Sequence, residues 1–114
     1  MPTSLTLDTA RGSDGRVVLT ASGEIDLSNI DTFTEALTTA VVETAGPGGM
    51  LTVDLSAVDY LDSAAINALF NHAERIHVIA EPRLIRVFTI SGLAELATME
   101  SAPPRVGVEG FQGE

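Results

Sequence analysis

The sequence predicts an α/β fold in which helices pack on a mixed sheet of four to five strands. Short apolar or alternating stretches, typical of strands, occur between longer stretches whose apolar residues follow helical spacing. Clusters rich in glycine, proline and serine separate these stretches. The predicted order of elements is β-β-α-β-α-β-α, which favours a sheet with helices packed on it.

The first two strands are predicted to form a hairpin. Leu5 and Leu7 alternate with polar residues in residues 4–10, a pattern typical of a half-buried strand. Residues 16–22 (RVVLTAS) indicate the second strand, and residues 11–15 form a turn that contains two glycines. A short loop of this kind joins neighbouring antiparallel strands.

Residues 29–45 predict the first helix. Ser28 and Asp31 together suggest a capping box at its start, and the glycine- and proline-rich residues 46–49 end it. The predicted buried stripe consists of Ile30, Phe33, Leu37, Ala40 and Val41.

The central part of the chain predicts a strand, a connection and a second helix. Residues 50–55 are nearly continuously apolar, which indicates a strand covered on both faces. Residues 56–61 are predicted to be a connection, and the second helix is expected from Ser63 to about Ile76. Its predicted apolar face consists of Ile66, Leu69, Phe70 and Ala73.

The last elements are a strand and a third helix. Residues 76–80 (IHVIA) predict the strand, and Pro82 suits the first turn of the helix. Gly92, followed by apolar Leu93, is expected to end that helix. Residues 93–101 are expected to hold a short final strand or a turn. We therefore predict one domain over residues 1–102 and a flexible C-terminal tail over residues 103–114.

Composition limits the possible functions. A chain of 114 residues without cysteine is predicted to be one domain with no disulfide, thiolate chemistry or cysteine-based zinc site. The formal net charge of −10 argues against direct binding of nucleic acid and favours a basic protein partner. No signal segment and no stretch of membrane-spanning length is evident, so we expect a cytoplasmic protein without membrane insertion.

Acidic residues lie near the predicted strand ends, where sheets of this kind often bind ligands. Carboxylates there could hold Mg²⁺, but the spacing of an oxygen-ligand loop is absent. We therefore predict no metal and no cofactor, and interpret these residues as helix caps and a solvated rim. They are Asp26, Asp54, Asp59 and Asp62.

Ser63 is the other candidate for chemistry. A nucleophilic serine needs a nearby base, and neither His72 nor His77 can be placed beside it from the sequence. We therefore predict that the protein is not an enzyme. Ser63 lies at a predicted helix start, where unpaired amides and the helix dipole suit a phosphate. It is either a phosphorylated switch residue, or Asp62 or Ser63 is simply the N-cap.

Asp54 allows a different interpretation. Its place in an apolar strand is similar to that of the phospho-acceptor in response-regulator receiver domains. The opening hairpin, the missing acidic pair and the absence of a suitable lysine argue against such a domain.

Three stretches together resemble the STAS family and, within it, the bacterial anti-sigma factor antagonists. They are residues 23–26 (GEID), 51–63 (LTVDLSAVDYLDS) and 90–93 (ISGL). The resemblance extends over roughly residues 5–101 and implies the STAS fold.

The resemblance implies a cycle of partner switching in transcription regulation. The unphosphorylated domain would bind an anti-sigma factor that is also a serine kinase, and so release a sigma factor. Phosphorylation of Ser63 would end that complex, and a serine phosphatase would reset the cycle. The partner-binding residues that we expect are Asp26, Asp62, Ser63, Ala64 and Ile66.

One departure and two other hypotheses accompany this resemblance. Family members often carry Asp-Ser-Ser-Gly or Asp-Ser-Thr-Gly where residues 62–65 are DSAA, so Ser63 is the only hydroxyl there and a methyl group replaces the glycine hydrogen. An alternative is an unphosphorylated STAS subunit of a membrane transporter or lipid-transport complex. A third hypothesis is a STAS domain that senses a small molecule.

Overall fold

The computed structural model describes residues 4–12, 15–44 and 49–102. Five strands form one sheet in the order β1-β2-β3-β4-β5, with β1 and β2 antiparallel and the other pairs parallel. This confirms the predicted mixed α/β fold. The elements are β1 (Leu5–Arg11), β2 (Val17–Ile25), α1 (Ile30–Glu43), β3 (Leu51–Leu61), α2 (Ser63–Phe70), a 3₁₀ turn (Ala73–Arg75), β4 (Ile76–Ala80), α3 (Pro82–Ser91), α4 (Leu93–Leu96) and β5 (Thr98–Ser101).

The core lies between the helices and one face of the sheet. Alternate residues are buried in β4 and in the first parts of β2 and β3, and the residues between them are partly exposed. The apolar run had predicted a strand covered on both faces. In the structure Thr52 and Asp54 remain partly exposed, so only one face of β3 is covered over residues 51–55. The largest side chains without exposed area include Phe33, Leu37, Leu69, Phe88 and Leu93 from the four helices.

β3 is longer than predicted. Residues 56–61 continue the strand as far as Leu61, so the predicted connection there is wrong. The pairing with β2 shifts twice along this segment, and at each shift β3 holds one residue more than β2. Oδ1 of Asp54 stabilises the first shift, since it accepts hydrogen bonds from the Ser56 amide (2.9 Å) and hydroxyl (2.6 Å). As a result, the buried residues Leu55, Val58 and Leu61 are spaced three apart instead of two.

α2 is shorter than predicted. It ends at Phe70, and a 3₁₀ turn precedes β4, which begins at Ile76. Ala73 and Ile76 are both buried, but in different elements. Their spacing imitates one more helical turn, and this is why the pattern predicted a helix up to Ile76.

The C-terminal elements agree with their predictions except for α4, a short helix that was not expected within residues 93–101. Pro82 is in the first turn of α3, and Gly92 ends that helix with a left-handed φ of 94°. The final strand is β5, which is followed by a hydrogen bond from the Ala102 amide to the Ala80 carbonyl (2.8 Å). The predicted tail, residues 103–114, lies outside the described residues. Within the described ranges, no helix is long and apolar enough to cross a membrane.

Candidate functional site

Asp62 is the N-cap of α2. Its backbone is extended (φ −110°, ψ −173°), and its Oδ1 accepts hydrogen bonds from the amides of Ala64 (3.0 Å) and Ala65 (3.3 Å). These are two of the amides that have no partner inside the helix. Of the two candidate cap residues, Asp62 therefore performs this role, and Ser63 does not.

Ser63 is the first residue of α2 and is exposed. Its hydroxyl makes no hydrogen bond with any residue in the ranges 4–12, 15–44 and 49–102. His72 instead lies near Thr38, with 3.4 Å between Nε2 and Oγ1, and Nε2 of His77 lies 2.9 Å from Oε1 of Glu100. Neither histidine is therefore in contact with the Ser63 hydroxyl.

The ends of β2 and β3 bring two predicted site residues together. Ile25 pairs with Leu61 in the parallel sheet, and the Asp62 amide donates to the Ile25 carbonyl at 3.1 Å. Asp26 directly follows Ile25, so Asp26 and Asp62 leave neighbouring strands at the same edge. The sheet thus places the turn at Asp26 next to the start of α2, where Ser63 is exposed.

A tightly bonded turn follows β2, and we call residues 26–29 the DLSN turn. The Asp26 carbonyl accepts from the Asn29 amide (3.1 Å), and Asp26 Oδ1 accepts from the Ser28 amide (2.9 Å) and hydroxyl (2.6 Å). The Asn29 side chain accepts from the Asp26 amide and donates to the Glu24 carbonyl, both at 3.0 Å.

The DLSN turn corrects the predicted capping box. Ser28 does not cap α1, because its hydroxyl is bonded to Asp26. The N-cap position belongs to Asn29, which makes no side-chain cap bond to the helix. The side chain of Asn29 instead joins the turn to the end of β2.

Close packing of the backbone explains why position 23, in the GEID stretch, is a glycine. Its φ is +104°, and a Cβ atom built there would collide with the Ser4 carbonyl oxygen. That oxygen accepts a hydrogen bond from the Glu24 amide at 2.9 Å. Glycine therefore lets the start of β1 approach β2 closely, just before the DLSN turn.

Two exposed apolar side chains at this edge were missed from the sequence. Leu27, in the DLSN turn, is 77% exposed, and Tyr60, which pairs with Glu24 across the sheet, is 51% exposed. Leu27 belongs to neither a helical nor a strand pattern, so periodicity carried no signal for it. The only sequence feature that indicates an exposed position for Leu27 is its place between two polar residues, Asp26 and Ser28.

The remaining predicted partner-binding residues differ in accessibility. Ala64 is half-buried, and Ile66 is partly buried against the core. Ala65 is completely buried. The methyl group that replaces the family's usual glycine hydrogen therefore packs inside the domain and not on the surface around Ser63.

Carboxylates surround this edge of the sheet. The acidic residues at or beside the ends of β2 and β3 are Glu24, Asp26, Asp59 and Asp62. Arg83 reaches the same edge, where its Nη2 donates to the Asp59 carbonyl (3.4 Å) and to Glu81 (3.3 Å). Among residues 4–12, 15–44 and 49–102, no group of three or more metal-ligating side chains is placed to hold an ion.

Comparisons with known proteins agree with the resemblance seen in the sequence. The model of the STAS domain family matches residues 9–103. An anti-sigma factor antagonist from Mycobacterium paratuberculosis is similar in structure, with 27% identity, a TM-score of 0.75 and 87% of each chain covered. A comparison with curated proteins found no match.

Two structures of SpoIIAA share the fold at lower identity. The unphosphorylated anti-sigma factor antagonist is 17% identical, with a TM-score of 0.64 over 91% of this chain and 94% of the other. The phosphorylated form, described as a Bacillus cell fate determinant, is also 17% identical, with a TM-score of 0.58 over 91% and 97%. The five-stranded mixed sheet with its helices is therefore common to these proteins.

Proposed function

This chain belongs to the STAS domain family, and on that premise we propose that it is an anti-sigma factor antagonist switched off by phosphorylation of Ser63. In the unphosphorylated state it binds an anti-sigma factor with serine-kinase activity, in the cytoplasm, and so releases a sigma factor. The kinase phosphorylates Ser63, the complex dissociates, and a serine phosphatase resets the cycle. The protein itself is a binding module and not an enzyme.

The observation that supports this proposal most is the state of the Ser63 hydroxyl. It is exposed at the start of α2, and it is not used in capping, because Asp62 bonds the Ala64 and Ala65 amides. A kinase can therefore reach this hydroxyl without unfolding the helix. The similarity to the mycobacterial antagonist supports the same class of partner.

The electrostatics of the site favour a switch that acts locally. A phosphate adds roughly two negative charges and three acceptor oxygens. On Ser63 it would stand beside the Asp62 carboxylate and near Asp26, and Asp62 already occupies two of the amides at the helix start. The added charge therefore has to be desolvated in any interface that covers Ser63. A change of about 1.4 kcal/mol lowers affinity tenfold, so no refolding is required.

The proposed interface consists of the helix start and the turn beside it. Its members from the sequence prediction are Asp26, Asp62, Ser63, Ala64 and Ile66. Because the net charge of the chain is −10, a partner with a basic surface is favoured by long-range attraction.

A pull-down from lysate of the source organism tests the proposal, with wild type, Ser63→Ala and Ser63→Glu as baits. We expect wild type and Ser63→Ala to recover an anti-sigma factor with a serine-kinase domain, and Ser63→Glu to recover much less. Calorimetry with the purified partner should then give at least tenfold weaker binding for Ser63→Glu. Incubation with the partner and ATP should phosphorylate wild type but not Ser63→Ala.

Two results would contradict the proposal. Equal affinity of wild type and Ser63→Glu would place Ser63 outside the interface. Recovery of transporter components by all three baits would instead identify a structural subunit in which Ser63 has no switch role. Unfolding curves of the three proteins serve as the control, since Ser63 is exposed and its replacement should leave stability within about 0.5 kcal/mol.

A further inference from the structure

We propose that Leu27 and Tyr60 are the apolar anchors of the partner interface, and that the anti-sigma factor receives them in an apolar socket with a basic rim. This inference rests on the proposed function, because it names residues and partner chemistry for the same edge of the sheet. Leu27 lies outside the three stretches that resemble the family and Tyr60 lies within residues 51–63, and both were identified as anchors from their exposure.

The first argument is that Leu27 is presented rigidly. Its side chain is 77% exposed, although the DLSN turn that carries it is fixed by five hydrogen bonds among Glu24, Asp26, Ser28 and Asn29. None of these bonds involves Leu27. Because the backbone of this turn is already ordered, binding at Leu27 costs little backbone freedom, and more of the side chain's burial can contribute to affinity.

The second argument is position. Tyr60 pairs with Glu24 at the end of β2, and the Asp62 amide is bonded to the Ile25 carbonyl. Leu27 and Tyr60 therefore lie at the same edge of the sheet as Ser63. A phosphate on Ser63 would add its charge at the same edge of the sheet as the two anchors.

The third argument is the charge around the anchors. The carboxylates at or beside these strand ends belong to Glu24, Asp26, Asp59 and Asp62, in a chain whose net charge is −10. An interface typically has an apolar centre, where a few large side chains contribute most of the affinity, and a polar rim. Here the centre is Leu27 with Tyr60, and the acidic rim requires arginine or lysine around the complementary socket.

Site-specific photo-crosslinking tests the inference in cells. Leu27 is replaced by p-benzoylphenylalanine, and the matched control carries it at Ile90, which is 81% exposed on α3. We expect position 27, and not position 90, to crosslink to a protein with a serine-kinase domain, and the crosslink to disappear when Ser63→Glu is added. No crosslink from position 27, or the same crosslink from both positions, would overturn the inference.

Affinity measurements with that purified partner give the energetic test. We expect Leu27→Ala to weaken binding at least tenfold, Tyr60→Ala to weaken it severalfold, and Ile90→Ala to change it less than twofold. Raising the salt concentration should slow association, because a basic rim is attracted to the carboxylates. The unfolding midpoint of each variant shows whether a loss of binding comes from misfolding.

The outcomes separate this inference from the proposed function. If Ser63→Glu weakens binding and Leu27→Ala does not, the switch stands and the anchors are wrong. If neither variant weakens binding, both proposals fail. If Leu27→Ala and Ile90→Ala weaken binding equally, the effect is not specific to this edge, and the inference is overturned.

Discussion

Replacing Asp62 with alanine should show how much the start of α2 depends on one carboxylate. The variant loses the hydrogen bonds from the Ala64 amide (3.0 Å) and the Ala65 amide (3.3 Å), and both amides then lack an internal partner. Loss of an N-cap side chain costs about 0.5–2 kcal/mol. Because α2 has only 8 residues and Ala65 is buried, we expect the upper half of that range, about 1–2 kcal/mol.

The free energy of unfolding can be measured by chemical denaturation followed by circular dichroism. For a domain of about this size, a loss of 1 kcal/mol should lower Tm by roughly 3–6 °C. Asp62→Asn keeps an acceptor oxygen and should remain within about 0.5 kcal/mol of wild type, since asparagine is also a good N-cap. Ser63→Ala changes the next residue without removing a hydrogen bond, and its free energy of unfolding should also remain within about 0.5 kcal/mol of wild type.

Two outcomes would refute this reasoning. If Asp62→Ala were as stable as wild type while Ser63→Ala were destabilised, the cap would belong to Ser63. If Asp62→Asn lost as much stability as Asp62→Ala, the charge near the helix dipole would be responsible and the hydrogen bonds would not.

Further predictions concern the segment before α1. Gly23→Ala should cost more than 2 kcal/mol, because the left-handed backbone costs about 1–2 kcal/mol and the new methyl group collides with the Ser4 carbonyl. Gly92→Ala is its control, since φ is also positive but the nearest atom, in Phe70, is 4.0 Å away; equal losses of denaturation free energy would contradict the collision. Asn29→Ala should cost about 1–2 kcal/mol and speed amide hydrogen exchange in the DLSN turn, and unchanged exchange would show that other bonds hold it.

Much of the fold could be predicted because the patterns were local. The alternation in β1 and β2, the apolar stripe of α1, and the proline and glycine at the ends of α3 each report the structure of their own segment. Pro82 fixes its own backbone, and Gly92 takes the left-handed conformation that side chains disfavour. No distant contact is needed to interpret either residue.

The errors arose where tertiary structure overrides local spacing. Residues 56–61 appeared to be a connection because two extra residues interrupt the alternation of β3, and only the partner strand reveals them. The spacing of Ala73 and Ile76 suggested a longer helix. Both residues are buried, but they are buried in different elements, and the spacing alone cannot distinguish this case from one helix.

The candidate site could be predicted only in part. Asp26, Asp62 and Ser63 follow strand ends, and the carboxyl ends of parallel strands meet at one edge of a sheet. The exposure of Leu27 and Tyr60 could not be predicted, because it depends on which surfaces the helices leave open. Leu27 belongs to no periodic pattern, and single leucines are common both in cores and on surfaces.

The two extra residues in β3 also determine where its length can change. Val58 stays opposite Gly23 and Leu61 opposite Ile25 because each shift absorbs one residue that has no counterpart on β2. Deleting one residue at a shift would remove only this extra residue, so Leu61 would still face inward and Asp62 would still begin α2. Insertions and deletions in this strand should therefore be tolerated best at the two shifts, and worst where residues 52–54 pair regularly with β2, because an unabsorbed change of one residue turns the following side chains to the opposite face.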